Sequence, residues 1–467
     1  MQNHTNTILA TDSYKSSHWK MYPPEVKNIN SYIEARYTSD PDYNHVVFFG
    51  LQAAIKKYLL NPITLEDIEE AEEVFGAHGT PFNKEGWKHI LHEYDGYFPV
   101  VIEALPEGMK VPFGGAMVQV RTYAPNTKWL GSYIETLLLR SVWYPSTVAT
   151  ISGKIKDILV QYALKDGTDL NSLNFKLHDF GARGVSSGES ASLGGLANLI
   201  SFRGTDTVEA LMAGRNYYGE HMAGFSIPAM EHSTIISWGR EREVDAYRNM
   251  IKQYGNEPMY AVVSDSYDIM NAVENIWGGV LREEVLNAAG TLIIRPDSGD
   301  PVETPVEVIK KAINKFGAEV NANGYQVLNP KVRVIQGDGV NKESIVKILD
   351  LMHKNKLAVE NIAFGMGGAL LQKVDRDTFG FAMKASSVMV EEFSKHYWKD
   401  VWKESPGKQS KRGILSFDGN TMETVKRSNI PYDKNLLQMV YADGSLLKDL
   451  TFTQIRENAE MRKIFLT

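Results

Sequence analysis

Hydrophobic and polar positions follow two different patterns along the chain, and the change falls near residue 175. Before it, strand-like and helix-like stretches come in no fixed order. ILATDSYK (8–15) sets a short apolar start against Asp12, Ser13, Tyr14 and Lys15. INSYIEARYT (29–38) alternates as a half-buried strand, a helix is expected across 50–60, and LEDIEEAEEVFGAH (65–78) reads as a charged amphipathic helix with a solvated face. VVIEALPEGMKVPFGGAMVQVR (100–121) predicts strands joined by Pro/Gly turns. Two helices follow, about 128–142 and 147–165, split at Pro145.

Beyond 175, short apolar runs end in polar, glycine-containing turns. They are 175–184, 198–207, 223–234, 260–268, 291–300, 332–340, 361–368 and 381–386. Helix-like stretches between them suit a β–loop–α unit, so the pattern predicts sequential parallel strands in a barrel or a doubly wound sheet. The polar cluster sits at the C-terminal end of nearly every run, which is the ligand face of such folds. TLIIRPDSGDP (291–301) is the sharpest case, because three apolar residues pass directly into Arg295, Asp297 and Asp300. Charges at a strand end need a partner or a ligand. After 386 the pattern stops. Residues 395–413 are aromatic and basic and read as a long loop; ILSFDGN (414–420) and MVYADGSLL (439–447) carry Asp-Gly hairpin signals; a helix is expected over 452–465. The expected domains are 1–150 (α+β), 151–386 (the β/α unit) and 387–467, whose hairpins pack back on the N-terminal part.

The chain has 467 residues, 43% hydrophobic and 23% charged, with a net charge of −7. That balance speaks against generic nucleic-acid or acidic-membrane binding, though a local basic patch can still serve a phosphate. The absence of cysteine excludes disulfides, thiolate metal sites and a cysteine nucleophile. The N-terminus lacks the pattern of a signal peptide, and no apolar run approaches the ~18–20 residues that span a bilayer. A soluble cytoplasmic protein is expected.

The strand ends offer carboxylates (Asp179, Asp206, Glu231, Asp265, Asp297, Asp338), cations (Arg183, Arg295, Arg376, Lys384), His232, and the glycines Gly365, Gly367 and Gly368. Glycine turns let backbone N–H groups approach a phosphate, and carboxylates suit ribose hydroxyls and Mg²⁺. A phosphorylated sugar fits this set. Neither a Walker sequence nor GxGxxG occurs. His232 lies beside Glu231, with Asp265 in the next run; a carboxylate on one imidazole nitrogen makes the other a better base or nucleophile. Each feature also has a plainer reading: turn glycines, a structural histidine, and Asp206 as an N-cap.

ATDSYK (10–15), KLHDFGARGVSS (176–187), FRGTDT (202–207), PAMEHST (228–234), VVSDSYD (262–268), IIRPDSGDP (293–301), RVIQGDG (333–339) and FGMGGALLQK (364–373) together resemble the nicotinamide phosphoribosyltransferase family, in order and over essentially the whole chain. The resemblance implies an α/β fold, an irregular β/α barrel with an additional α+β domain built from the N- and C-terminal segments. It implies a homodimer with active sites at the subunit interface. The implied reaction joins nicotinamide to 5-phosphoribosyl-1-pyrophosphate, with Mg²⁺ and with ATP as co-substrate through a phosphohistidine. Phe180 and Tyr14 of the partner subunit would sandwich the pyridine, Asp206 would accept the carboxamide N–H, and Arg183 and Arg295 would line the pocket. Asp297, Gly337 and Asp338 would hold ribose, while Gly367, Gly368, Arg376, Lys384 and Arg36 would bind the 5-phosphate. His232 would be phosphorylated, oriented by Glu231 and Asp265. Lys399 and Lys408 align with lysines near the phosphates. Ala182, Met366, Ala369 and Ala382 depart from the family pattern, which bears on phosphate affinity and ATP coupling. The competing readings are nicotinate phosphoribosyltransferase, a metal-dependent barrel lyase and a non-catalytic sugar-phosphate-binding protein.

Overall fold

Leu292, Ile293 and Ile294 are apolar without a break because the strand they form is covered on both faces. It is one of six parallel strands in the computed structural model, which describes residues 5–404 and 409–461. In chain order these are β1 (Leu177–Asp179), β2 (Gly204–Thr205), β3 (Met259–Val263), β4 (Thr291–Arg295), β5 (Val332–Gln336) and β6 (Ile362–Met366). Across the sheet they run β2-β1-β6-β5-β4-β3.

Residues 225–230 join the two outer strands. On one side the Phe225 amide donates to the Arg203 carbonyl (2.7 Å) and the Thr205 amide to the Phe225 carbonyl (3.0 Å). On the other, the Met230 amide donates to Ala261 O (3.0 Å) and the Ala261 amide to Pro228 O (2.9 Å). The run 223–234 is therefore a stave bridged only at Phe225 and Ala229. Pro228 has no N–H to continue a ladder, which keeps the stave irregular. An irregular β/α barrel results. Inside it, Ala261, Ile293 and Ile335 meet with Ile227, Phe180 and Ala363 packed against them. On the opposite pleat Leu292, Ile294, Val332 and Val334 are fully buried.

The barrel unit comprises 151–212 and 221–374; residues 1–150, 213–220 and 375–467 form a second unit. The expected boundary at 386 thus moves back. Phe381–Glu392 is no barrel strand: it pairs antiparallel with Val26–Ala35, from Ala35 opposite Phe381 to Val26 opposite Val390. Only part of it is buried, as suits a sheet with one wetter face. The antiparallel sheet of this second unit runs 395–400, 381–392, 26–35, 116–122, 100–104, 438–442, 445–446, so N- and C-terminal segments share one sheet. Residues 395–413, expected as loop, begin as the edge strand Lys395–Asp400, whose lysines suit an unpaired edge. Lys408 lies outside the described residues. The hairpin signal at Asp443-Gly444 is realised with φ of 48° and 72°, the geometry of a type I′ turn. The last helix is Phe452–Glu460; the expected continuation from 462 to 465 lies outside the described residues.

Helix Leu65–His78 opens on a capping box between Thr64 and Asp67. Helix Lys84–Glu93, which the sequence pattern did not reveal, buries Trp87 edge-on to Trp129, Tyr133 and Phe98. Pro145 does not split the chain into two helices: one helix runs Glu135–Asp166 through it. The Ser146 hydroxyl both accepts from the Phe49 amide and donates to its carbonyl, each at 3.0 Å. With Val142, Val148 and Ala149 fully buried, packing outweighs the ~3 kcal/mol helix cost of a proline. No helix among the described residues is long and apolar enough to cross a membrane.

Glu107, 4% exposed, anchors the start of the helix at Leu51. Its carboxylate accepts from the Gln52 amide (2.7 Å) and the Tyr218 hydroxyl (2.9 Å), and backbone amides of Gly50 and Leu51 also point to it. Burial outweighs these bonds and pushes the carboxyl up to about 7. A carboxyl raised above its unfolded value contributes stability that is full below about 4.5 and is lost as pH rises through about 7. The stability difference between the wild type and Glu107→Gln should therefore shift against the wild type between pH 5 and 8, by at most about 3 kcal/mol. Urea unfolding at both pH values checks this; a pH-independent difference would exclude a raised Glu107.

Candidate active site

The site is built one pleat above the barrel interior, where side chains two residues beyond the core layer reach the C-terminal ends of the strands. Beyond Ile293 comes Arg295, beyond Ile335 comes Gly337, and beyond Ala363 comes Gly365. Phe180, following β1, lies across that level, with its amide bonded to Met366 O at 3.0 Å. A methyl group at Gly365 would sit 2.0 Å from Phe180 Cε2, so only glycine admits the ring here. The Arg295 guanidinium lies 5.8 Å from the Phe180 ring centre. Its NH2 donates to Asp297 Oδ1 at 2.7 Å. Its Nε–H is buried with no partner among the described residues.

His232 starts the short helix His232–Ile236. Its Nε2 lies 2.9 Å from Asp265 Oδ1 and its Nδ1 3.8 Å from Asp297 Oδ2. An ionised carboxylate only accepts, so Nε2 carries the proton and Nδ1 keeps the lone pair in the neutral ring. The other Asp265 oxygen takes the Asp297 amide (3.1 Å) and the Ser298 hydroxyl (2.5 Å). One buried carboxylate thus holds both the imidazole and the turn after β4. Glu231, expected to orient His232, accepts instead from the Ser233 hydroxyl two residues on. The orienting groups are Asp265 and, more distantly, Asp297.

Asp206 follows β2. Its amide donates to Asp179 O (3.0 Å), and its Oδ1 accepts from the Ser226 hydroxyl (2.5 Å). Asp179, counted among the candidate carboxylates, is fully buried and holds local structure: it accepts from the Gly181 amide (2.7 Å) and Thr205 Oγ1 (3.4 Å), and burial raises its pKa. Arg183 is exposed in the turn Ala182–Gly184, and Gly184 faces the Gly368 amide. Asp338 is exposed after Gly337, its carbonyl taken by the Gln336 side chain at 2.8 Å. Gly367 and Gly368 open the helix Gly368–Leu371.

Four expected site residues belong to the other unit. Tyr14 is 58% exposed on a 3₁₀ segment. Lys384 lies opposite Tyr32 in the antiparallel pair, and Arg36 Nε donates to Gly380 O at 2.8 Å. Burial first, then the charge of Arg36, with Lys403 and Arg376 adding to it, lowers the Lys384 pKa. Such a cluster of like charges is relieved by an anion. Ala382, one of the departures from the family pattern, is buried. Ser226 and Ser298 escaped the sequence reading, because a serine in a loop carries no periodicity and no motif signal.

A model of the nicotinate phosphoribosyltransferase (NAPRTase) family matches residues 175–445, and a model of the nicotinamide phosphoribosyltransferase N-terminal domain matches residues 6–102. The chain is 46% identical over 472 residues to the nicotinamide phosphoribosyltransferase of Xanthomonas campestris pv. campestris, covering 98% of this chain and 99% of that one. It is 30% identical over 490 residues to the protein of the same name from Acinetobacter baylyi, covering 97% and 96%. The crystal structure of nicotinate-nucleotide pyrophosphorylase from Pyrococcus furiosus shares the fold with a TM-score of 0.61 at 18% identity, over 98% and 96% of the two chains. That of human nicotinic acid phosphoribosyltransferase does so with 0.57 at 16%, over 97% and 93%. The expected barrel with its added α+β domain is thus an observed fold, and with this identity sustained along nearly its whole length the chain belongs to the nicotinamide phosphoribosyltransferase family.

Proposed function

We propose that the protein transfers the 5-phosphoribosyl group of 5-phosphoribosyl-1-pyrophosphate to nicotinamide, releasing nicotinamide mononucleotide and pyrophosphate for NAD salvage. The observation that carries this reading is the barrel rim on which Phe180, Arg295, Asp297, Asp265 and His232 are joined by direct contacts. The pyridine nitrogen lone pair attacks C1′, and the C1′–O bond breaks with its electron pair leaving on pyrophosphate. No proton moves in that step, so the protein's work is positioning and charge stabilisation.

In this reading the pyridine stacks on Phe180, and Asp206 accepts the carboxamide N–H. Arg183 and Arg295 flank the base; Asp297, Gly337 and Asp338 hold ribose. Gly367 and Gly368, with Arg36, Arg376 and Lys384, take the 5-phosphate. Among the described residues no cluster of three or more His, Cys, Asp or Glu side chains could hold a metal ion. Mg²⁺ brought in with the pyrophosphate substrate would counter the charge of the leaving group. ATP enters through His232: the Nδ1 lone pair attacks the γ-phosphorus, ADP leaves, and hydrolysis of the phosphohistidine drives turnover. Exposed Tyr14 fits a homodimer in which Tyr14 of the partner subunit covers the other face of the base.

Nicotinate phosphoribosyltransferase is the competing activity, and in this reading Asp206 disfavours it. Two negative charges ~4 Å apart at an effective dielectric near 20 repel by roughly 4 kcal/mol. Arg183 and Arg295 offset part of this, leaving about one to three decades of preference for the amide. Asp206→Asn still suits a helix start but no longer repels a carboxylate. The variant should keep its melting temperature while the nicotinamide-to-nicotinate ratio of kcat/KM falls at least about tenfold. An unchanged ratio would move specificity elsewhere.

His232→Ala should lose ATP hydrolysis and the ATP-dependent gain in turnover. Acid-labile label from γ-labelled ATP on that variant would overturn the phosphohistidine assignment. Mixed dimers of a Tyr14→Ala chain and a His232→Ala chain should recover one intact site in two. Activity no higher than in either parent, after verified subunit exchange, would exclude a shared site.

A further inference from the structure

Ser226 belongs to the stave that closes the barrel, and Asp206 to the strand end beside it. The hydrogen bonds on both sides of Phe225, to Arg203 and from Thr205, fix the register of stave and strand. Asp206 is held from its own side by its amide on Asp179 O. Ser226 is therefore presented to the Asp206 carboxylate with little slack, and its hydroxyl donates to Oδ1 at 2.5 Å.

We propose that Ser226 is a specificity-positioning residue that sets the preference for an amide over an acid at the base pocket. The inference rests on the reading of Asp206 as the carboxamide acceptor. The bond occupies Oδ1 and removes rotational freedom, so Oδ2 is the oxygen left to the ligand, where it accepts from an amide and repels the carboxylate of an acid. Without it, Asp206 turns more freely, and its free oxygen is no longer held against the carboxamide. Discrimination then falls.

The test is a double-mutant cycle on the complete enzyme, with kcat and KM measured for nicotinamide and for nicotinate. Ser226→Ala should lower the nicotinamide-to-nicotinate ratio of kcat/KM about tenfold, as loss of a hydrogen bond to a charged group does. The change should lie mainly in KM for nicotinamide, and Ser226→Thr should restore most of the ratio. In the Asp206→Asn background, Ser226→Ala should add less than about a twofold change, because the carboxylate it positions is gone. A ratio unchanged in Ser226→Ala while Asp206→Asn collapses it would overturn the role of Ser226 and leave Asp206 standing. A Ser226→Ala effect of equal size in both backgrounds would equally overturn it, as a general structural effect. A ratio unchanged in Asp206→Asn itself would remove the reading of Asp206, and this inference with it. Melting temperatures of all five proteins identify any variant that has merely lost its fold.

Discussion

The barrel is closed by a segment that is barely a strand, and the site depends on that closure. Residues 225–230 are hydrogen-bonded to β2 through Phe225 and to β3 through Pro228 and Met230. A regular strand would continue its ladder and align its side chains with the pleat. Pro228 prevents this, so the stave crosses the gap with two contacts and then releases the chain into Glu231 and His232. His232 reaches Asp265 on the neighbouring strand end because the stave is anchored to β3 next to it.

Around this closure, the carboxylates of Asp265 and Asp297 are both paired. Asp265 is almost buried and would be costly unpaired, but its two oxygens take an imidazole N–H, a backbone amide and a hydroxyl. Asp297 takes the Arg295 guanidinium. What is left over is informative: Arg295 keeps one buried N–H without a partner among the described residues. A buried donor of this kind beside the Phe180 ring suits a polar aromatic ligand. The proposed transfer asks little more of such a site than exact placement of a base, a sugar and two charged groups.

The other unit shows a different economy of charge. Burial, and then the charges of Arg36, Lys403 and Arg376, lower the proton affinity of Lys384, while the sheet of this unit is knitted from both ends of the chain. Phe381–Glu392 bridges these facts, since the strand that carries Lys384 is also the neighbour of Val26–Ala35. The phosphate-binding residues of the proposed reaction are thereby tied to the fold of the termini.

The sequence by itself determined the parallel strands and where their chemistry lies. Continuous apolar runs such as 260–263 and 292–294 require burial on both faces, and polar turns at their ends have only one face of such a fold to occupy. The Asp443-Gly444 turn was equally legible, because few residues tolerate two positive φ angles. Tertiary structure alone decided matters that depend on partners distant in the chain. Whether Pro145 ends a helix depends on packing and on Phe49, about a hundred residues away. Whether Phe381–Glu392 closes a barrel or joins a sheet depends on Val26–Ala35. That Asp179 is structural, that Glu231 turns from His232, and that Ser226 and Ser298 each grip a carboxylate are matters of side-chain geometry. Periodicity reports which face a residue occupies; it holds no record of which atom that face will meet.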